Sequence, residues 1–432
     1  MFSLFFYFYG EPTGIMVMFA SILINYGAAR WMENKRGLSR KIGLMVAVMM
    51  NLSLLVWFKY AGFALENMNT WWGTAFTIPV AIMPIGISFF TFQGLSYLLD
   101  VYRGQVSAQH NLLNIAMYIS LFPQLVAGPI VRYSTIADEV NNRRENLADV
   151  EKGLRRFIYG LAKKLLLANS FGVMAVAVFA MDYGTIPAAV AWLGVCAFTL
   201  QIFYDFAGYS DMAIGLGLLF GFHFPENFNY PYISKSISEF WRRWHISLSG
   251  WFRDYVYIPL GGNRRGLKRQ LINILIVWSL TGLWHGAAWN FVLWGLYFAL
   301  ILVCEKLFLA KWLDKIPAFF AHAYSLLLIF CGWVIFNCGS VSDVAAYFTA
   351  MFGGNQPSAA TGNYVLYCLL QYKWEWLVGI LCCAPIAPIC SRFFDGRAWL
   401  QTLQNAGAVL LLLLSLLTLV NTTFNPFIYF RF

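Results

Sequence analysis

One histidine lies inside a long apolar segment of this 432-residue sequence. His285 belongs to the segment Thr281–Ala287, and no Asp, Glu, Lys or Arg occurs from Leu271 to Cys304. An imidazole titrates near neutral pH, so it can act as a general acid or base. Holding such a group at membrane depth is costly. His285 is therefore a candidate catalytic residue, and the alternative is a neutral histidine hydrogen-bonded between packed helices.

A second histidine lies on a segment with two unlike faces. Helical spacing over Tyr232–Pro259 predicts an amphipathic helix. Its aromatic face comprises Ile233, Ile237, Phe240, Trp244, Leu248, Trp251 and Tyr255, and its basic face comprises Lys235, Ser238, Arg242, His245, Ser249 and Arg253. Such a helix either rests on lipid headgroups or lines a polar cavity enclosed by protein. A histidine on the basic face favours the cavity.

Two further stretches are predicted to be irregular backbone. Phe206–Asp211 places Asp205 and Asp211 around a Gly-Tyr-Ser sequence. Pro259–Gly266 is a glycine-rich basic loop whose backbone N–H groups and arginines could receive phosphates. It lacks the Lys-Ser/Thr ending of a nucleotide-binding P-loop. The eight cysteines have no metal-binding spacing, so no metal site is predicted.

The composition indicates a membrane protein with many helices. Hydrophobic residues make up 60% of the chain and charged residues 12%, whereas soluble domains are about 45–50% apolar and about 25% charged. Long uncharged runs recur at Pro12–Ala29, Ile42–Phe58, Asn67–Leu99, Gly104–Val131, Leu165–Met181, Tyr183–Tyr204, Leu271–Cys304, Ile316–Ser342, Trp376–Ser391 and Ala398–Phe430. Since one crossing needs about 20 apolar residues, we expect roughly ten to twelve spans in an all-α polytopic protein.

The positive charges predict an orientation. The net charge is +10, and basic residues crowd the loop Arg30–Lys41 and the block Lys235–Arg269. Short loops rich in Lys and Arg stay in the cytoplasm. We therefore expect both regions to face the cytoplasm. Arginines interleaved with Trp and Phe on a membrane protein do not favour nucleic-acid binding.

Several ordered motifs resemble the membrane-bound O-acyltransferase family. They cover nearly the whole chain, and the run closest to the family signature is Trp241–Ser249 followed by Trp251–Tyr255 and Ile258–Arg264. The other matching segments are Pro84–Gln93, Phe122–Pro129, Phe224–Pro231, Gly282–Ala287 and Phe427–Phe430. Within the family they are most similar to the branch that contains the membrane subunit of bacterial alginate O-acetyltransferase. The chain begins at the second apolar segment of many members, so either their first helix is absent or this start is internal.

The resemblance implies a fold and a set of site residues. We expect a single transmembrane domain over 1–432, an all-α helical bundle with re-entrant or interfacial helices around a buried channel. His285 is implied as the essential catalytic histidine and His245 as the second active-site residue. The candidate residues for binding substrate or donor lie in the same motifs and are Arg242, Trp244, Arg253, Asn263, Arg264 and Trp284.

Acyl transfer to a sugar hydroxyl needs a base to take the alcohol proton. A positioned histidine contributes about 10²- to 10⁴-fold to such a step. His285 is the candidate base, and His245 would orient the donor, polarise its carbonyl or relay the proton.

We therefore expect an integral membrane O-acyltransferase that acetylates an exported polysaccharide such as alginate. The implied donor is acetyl-CoA or an acyl carrier, with no bound cofactor. The implied partners are the lipid bilayer, secreted or membrane-anchored acetyltransferases and the polysaccharide acceptor, and the implied location is the bacterial cytoplasmic (inner) membrane. Transfer of D-alanine to teichoic acid is the alternative among enzymes. A transporter is the alternative outside enzymes, but it predicts paired, glycine-interrupted halves that we do not find.

Overall fold

The computed structural model describes residues 2–78, 82–126, 128–355, 363–386, 388–389 and 398–421. All regular secondary structure among them is helical. The α-helices are α1 Phe2–Gly10, α2 Gly14–Glu33, α3 Gly37–Leu55, α4 Ala61–Trp72, α5 Ile87–Arg103, α6 Leu112–Ser120, α7 Phe122–Leu125, α8 Tyr133–Asn142, α9 Leu147–Ala162, α10 Asn169–Phe179, α11 Ala188–Leu219, α12 Ile237–Arg243, α13 Ile246–Phe252, α14 Leu267–His285, α15 Trp289–Cys304, α16 Ala310–Leu313, α17 Ala318–Asn337, α18 Val341–Met351, α19 Tyr364–Gln371, α20 Lys373–Cys382 and α21 Ala398–Asn421.

Seven of the described helical stretches are long and apolar enough to cross a membrane. They are Gly14–Glu33, Gly37–Trp72, Leu147–Phe179, Ala188–Leu219, Trp289–Leu313, Ala318–Asn337 and Trp399–Val420. Three of them continue through a π-helical turn, at Val56–Tyr60, Lys163–Ala168 and Glu305–Leu309. The protein is therefore an all-α polytopic membrane protein, as predicted.

Seven such helices lie in the described part of the chain, whereas the prediction of ten to twelve was made for the whole chain. Uncharged length does not register where a helix stops, so one uncharged run can contain short helices. The run Gly104–Val131 divides into α6 and α7, which have nine and four residues. A proline in the first turn of α7 cannot continue a preceding helix, since it lacks an N–H. The predicted closing segment Phe427–Phe430 lies outside the described residues.

The described residues divide into two compact units. Unit 1 comprises Met1–Leu154, Ala213–Glu226 and Gly250–Val256. Its apolar core includes fully buried tyrosines, and Tyr133 packs edge-on against both Tyr97 and Tyr118.

Unit 2 comprises Arg155–Met212, Asn227–Ser249 and Tyr257–Phe432 and holds both candidate catalytic histidines. Aromatic rings dominate its interior: Trp333 and Trp294 are among the largest fully buried side chains, and Trp294 packs against Phe298 and Phe336.

The predicted helix over Tyr232–Pro259 is broken. It forms the short helices α12 and α13, and His245 between them adopts a left-handed backbone with a φ of 45°. The break has a tertiary cause. The carbonyl of Asn227 accepts a hydrogen bond from the Ile246 N–H at 3.0 Å, and the Asn229 N–H donates to the carbonyl of Arg243 at 2.9 Å. These bonds to a distant segment replace the bonds of a continuous helix.

The predicted irregular stretch Phe206–Asp211 is instead helical and lies inside α11. Gly208 serves helix packing, since a Cβ added there would come within 2.8 Å of the carbonyl oxygen of Gly160. Both carboxylates of the predicted stretch form ion pairs with basic residues of the helix over residues 147–179. Asp205 pairs with Lys164, and Asp211 pairs with Arg156 and Lys163. The other predicted irregular stretch, Pro259–Gly266, does form turns, with left-handed glycines at Gly261, Gly262 and Gly266.

Candidate active site

His285 is the last residue of α14, where the chain turns into the extended Gly286. Close packing of α14 on α15 fixes this helix end. A Cβ at Gly282 would lie 2.3 Å from the carbonyl oxygen of Phe291, and one at Gly295 would lie 2.4 Å from that of Trp278. The two backbones therefore touch where other residues would hold them apart. Gly282, in the same motif as Trp284 and His285, is needed for this contact.

Aromatic rings enclose the imidazole of His285. Its ring centroid lies 5.0 Å from that of Trp284, 5.0 Å from Trp294 and 5.3 Å from Phe336, all near edge-to-face. The residue is 8% exposed. In such a nonpolar pocket, charge that develops during a reaction interacts strongly with nearby groups, because little water screens it.

His245 is also buried, at 1% exposure. Its Nδ1 lies 3.0 Å from Oδ1 of Asn227. Its ring centroid lies 4.7 Å from that of Phe206 and 6.0 Å from that of Trp284. Burial lowers the pKa of His245 to about 3, so the imidazole is neutral at physiological pH.

The indole of Trp284 contacts both histidines. The fold thus brings together three of the residues named from the sequence, His245, Trp284 and His285, all within unit 2. The left-handed backbone of His245 fits this arrangement, since strained residues concentrate at functional sites. Two buried imidazoles contact one indole in an aromatic pocket. An imidazole is a side chain that can act as a general acid or base.

The remaining predicted binding residues have different surroundings. The side chains of Arg242, Asn263 and Arg264 are exposed. Arg253, in unit 1, is 67% exposed and its Nε binds the carboxylate of Asp254 at 2.7 Å. These polar groups are available to a ligand at the protein surface rather than in the buried pocket.

The aromatic face of the segment packs inside the protein. Trp244 is 3% exposed and lies 4.9 Å from Trp333 and 5.6 Å from Phe240, between ring centroids. Within unit 1, Trp251 stacks on Phe92 with a centroid distance of 3.8 Å. A helix resting on lipid would expose these rings, so the lipid-surface alternative for this segment is not supported.

A buried glutamate holds the start of α12. Both carboxylate oxygens of Glu305 accept backbone N–H bonds, from Ile237 at 2.7 Å and Ser238 at 2.8 Å. The hydroxyls of Ser238 and Tyr324 also donate to it. A negative charge at a helix N-terminus is stabilising, so Glu305 anchors the helix that leads to His245.

Sequence reasoning named no role for Asn227 or Glu305. Asn227 lies in the motif Phe224–Pro231, and that membership was the available signal. Glu305 is the first charged residue after the uncharged run that contains His285. Its burial depends on the pairing of distant helices and leaves no local pattern.

Comparisons with known proteins agree with the motifs. A model of the membrane-bound O-acyltransferase (MBOAT) family matches residues 46–349. A probable alginate O-acetylase of Pseudomonas putida is 40% identical over 412 residues, which cover 90% of this chain and 84% of that protein. A probable alginate O-acetylase of Azotobacter vinelandii is 37% identical, with the same coverage of both chains.

More distant matches carry other names. A peptidoglycan O-acetyltransferase of Helicobacter pylori is 30% identical and covers 100% of this chain and 90% of that protein. A teichoic acid D-alanyltransferase of Bacillus subtilis is 32% identical over 54% of this chain and 60% of that protein.

Proposed function

The chain belongs to the membrane-bound O-acyltransferase family, and we propose that it acetylates hydroxyl groups of an exported cell-surface polysaccharide, with alginate as the acceptor. As a member of this family the protein is an O-acyltransferase. The alternative function of a transporter is therefore not favoured. The relatives named as probable alginate O-acetylases cover most of the chain, whereas the teichoic acid D-alanyltransferase covers about half. Acetyl transfer is therefore favoured over D-alanyl transfer.

We assign the chemistry to His285 as general base and His245 as the second active-site residue. The observation that carries the assignment is the contact of both buried imidazoles with the indole of Trp284. In the reaction, the acceptor oxygen attacks the acyl carbon and the bond from that carbon to its carrier breaks. The hydroxyl proton passes to His285 and then to the departing carrier. Base catalysis of this kind is worth about 10²- to 10⁴-fold.

The donor and its contacts are part of the same proposal. Acetyl-CoA and acyl carriers both bear phosphate, which Arg242 and Arg264 on the exposed surface could bind. Trp244 would support the site through packing instead. We further propose that residues 1–432 work as one domain, since the segments of the two units alternate along the chain and neither unit is a continuous piece.

The proposed setting is the bacterial cytoplasmic membrane. The seven apolar helices support a multi-pass membrane location. Secreted or membrane-anchored acetyltransferases are the proposed partners, because an acyl group moved to an exported polymer must be received outside the membrane.

Replacement of His285 tests the function. We expect His285→Ala, in cells lacking the chromosomal gene, to lower the acetyl content of the purified polysaccharide at least 100-fold. Acetyl groups are counted by proton NMR, and membrane levels of the protein by immunoblot. His322→Ala is the matched control, since His322 lies on α17 of the same unit and contacts the carbonyl of Ser234. Near-normal acetylation by His285→Ala would disprove the assignment of His285 as the general base. If the wild type acetylates only teichoic acid or peptidoglycan, the proposed acceptor is wrong.

A further inference from the structure

A small polar network surrounds one nitrogen of His245. Asn227 is 1% exposed, and its Oδ1 faces three groups. These are Nδ1 of His245 at 3.0 Å, Oγ of Ser247 at 2.9 Å and the backbone N of Ser247 at 3.3 Å. On the other side of the amide, Nδ2 of Asn227 donates to Oγ of Ser210 at 3.0 Å. The amide is therefore bound from both ends.

The network determines which nitrogen of His245 carries the proton. A backbone N–H can only donate, so the atom of Asn227 that faces the Ser247 N–H must be the oxygen. That same oxygen faces Nδ1 of His245, and an oxygen that accepts requires a donor opposite it. The proton of the neutral ring is therefore on Nδ1, and Nε2 has a lone pair.

Resting on the proposed function, we propose that Asn227 is a positioning residue that holds His245 in this tautomer, so that Nε2 accepts a hydrogen bond from a substrate N–H or O–H. Within the described part of the chain, Nε2 is buried and has no hydrogen-bond partner. A buried polar atom that never finds a partner costs stability, so a ligand group that donates is the natural occupant. Of the roles considered for His245, polarising the donor carbonyl is excluded, because that role needs an N–H at Nε2.

The surroundings keep the ring neutral. The groups against it are the amide of Asn227, the hydroxyl of Ser247, the ring of Phe206 and the indole of Trp284, none of which is charged. Burial alone lowers the pKa of His245, to about 3. The wild-type enzyme should therefore show no loss of activity from protonation of His245 at mildly acidic pH.

Two substitutions of Asn227 separate positioning from packing. Asn227→Ala removes the acceptor and lets the ring change tautomer, so kcat should fall about 10- to 100-fold, which is the range for partners that orient a metal-bound histidine. Asn227→Asp keeps an oxygen opposite Nδ1–H and adds a negative charge. It should restore most of the lost activity and raise the pKa of His245 by about one unit or more. A new acidic limb should then enter the pH profile of kcat/KM.

Asn273→Ala is the matched control. Asn273 is a fully buried amide of the same unit that donates to the carbonyl of Gly262 at 3.0 Å and does not contact His245. It should lower thermal stability without adding a limb to the pH profile. The assay is acetyl transfer by purified protein in detergent micelles, with acetyl-CoA as the donor and an oligosaccharide of the polymer as the acceptor.

The outcomes distinguish this inference from the proposed function. If His245→Ala keeps wild-type activity, the assignment of the site is wrong. If His245→Ala is inactive but Asn227→Ala keeps wild-type activity, or Asn227→Asp has the pH profile of the wild type, the positioning role is wrong and the site stands. A new limb and restored activity in Asn227→Asp support the inference.

Discussion

At the scale of single residues, the surroundings of His245 fix the position of its ring. Its ring lies against two aromatic rings, an amide and a hydroxyl, and its backbone adopts a conformation that is rare for a residue with a Cβ. Folding therefore fixes both its orientation and its neutral state. The unfolded chain has no such constraint, and there the imidazole titrates near pH 6.5.

This difference predicts how stability depends on pH. Because the pKa of His245 is lowered to about 3 in the folded protein, above pH 6.5 neither state is protonated at this residue. As the pH falls below 6.5, the unfolded state gains a proton that the folded state does not, so stability is lost progressively towards pH 3. The slope from this one residue is at most about 1.4 kcal/mol per pH unit.

The wild type and His245→Gln should differ in how their stability depends on pH. Between pH 7.5 and 5, the thermal unfolding temperature of the wild type in detergent should fall more steeply than that of His245→Gln, which has no titratable group there. His322→Gln controls for the loss of a histidine elsewhere in unit 2. Parallel curves for the wild type and His245→Gln would contradict the neutral, buried state of His245.

Among elements, α12 is a helix of seven residues that depends on a distant partner. Ser236 is its N-cap, and the Oγ of Ser236 accepts a hydrogen bond from the Glu239 N–H at 3.0 Å. Glu305 accepts two more of its first N–H groups. Short helices are marginal by themselves, so these contacts decide where α12 starts and where His245 lies.

Glu305→Ala should therefore destabilise the protein and lower acyl transfer together. The loss of hydrogen bonds to a buried charged acceptor costs about 1.5–3 kcal/mol each. Glu305→Gln keeps one acceptor oxygen and should lose less. Thermal unfolding and acetyl transfer of the purified variants measure both effects. Glu145→Ala is the control, because this 58%-exposed residue forms a surface pair with Arg143, and such pairs contribute little to stability. Equal unfolding temperatures for Glu305→Ala and Glu145→Ala would show that Glu305 does not anchor α12.

For the whole molecule, the asymmetry of charge predicts the orientation in the membrane. Lys35, in the loop after α2, and Lys268, in the first turn of α14, are exposed members of the two basic regions. Short basic loops remain in the cytoplasm. Cysteines introduced at either position, with accessible native cysteines removed, should resist a membrane-impermeant thiol reagent in intact cells and react after permeabilisation. Labelling of both positions in intact cells would show that the orientation is the opposite one. The donor would then enter from the other side of the membrane.

The helical class, the membrane location and the family were all predictable from the sequence. A long apolar run of about 20 residues that crosses a bilayer predicts a helix, because a helix satisfies its backbone N–H and C=O groups within the segment. The same reasoning makes His285 a candidate catalytic residue, since an ionisable group in such a run is costly and rare. These features are local: composition along the chain reveals the helical class and the membrane location, and ordered motifs reveal the family.

The tertiary structure decided what periodicity could not. Helical spacing predicted one helix over Tyr232–Pro259, but the backbone of Asn227 and Asn229 takes the hydrogen bonds that would have continued it. The sequence predicted irregular backbone over Phe206–Asp211, but the stretch is helical and Gly208 allows two helices to touch. Likewise, Asn227 determines the tautomer of His245 from a position 18 residues earlier. In each case the deciding partner is distant in sequence, and only folding brings it close enough to outweigh the local preference.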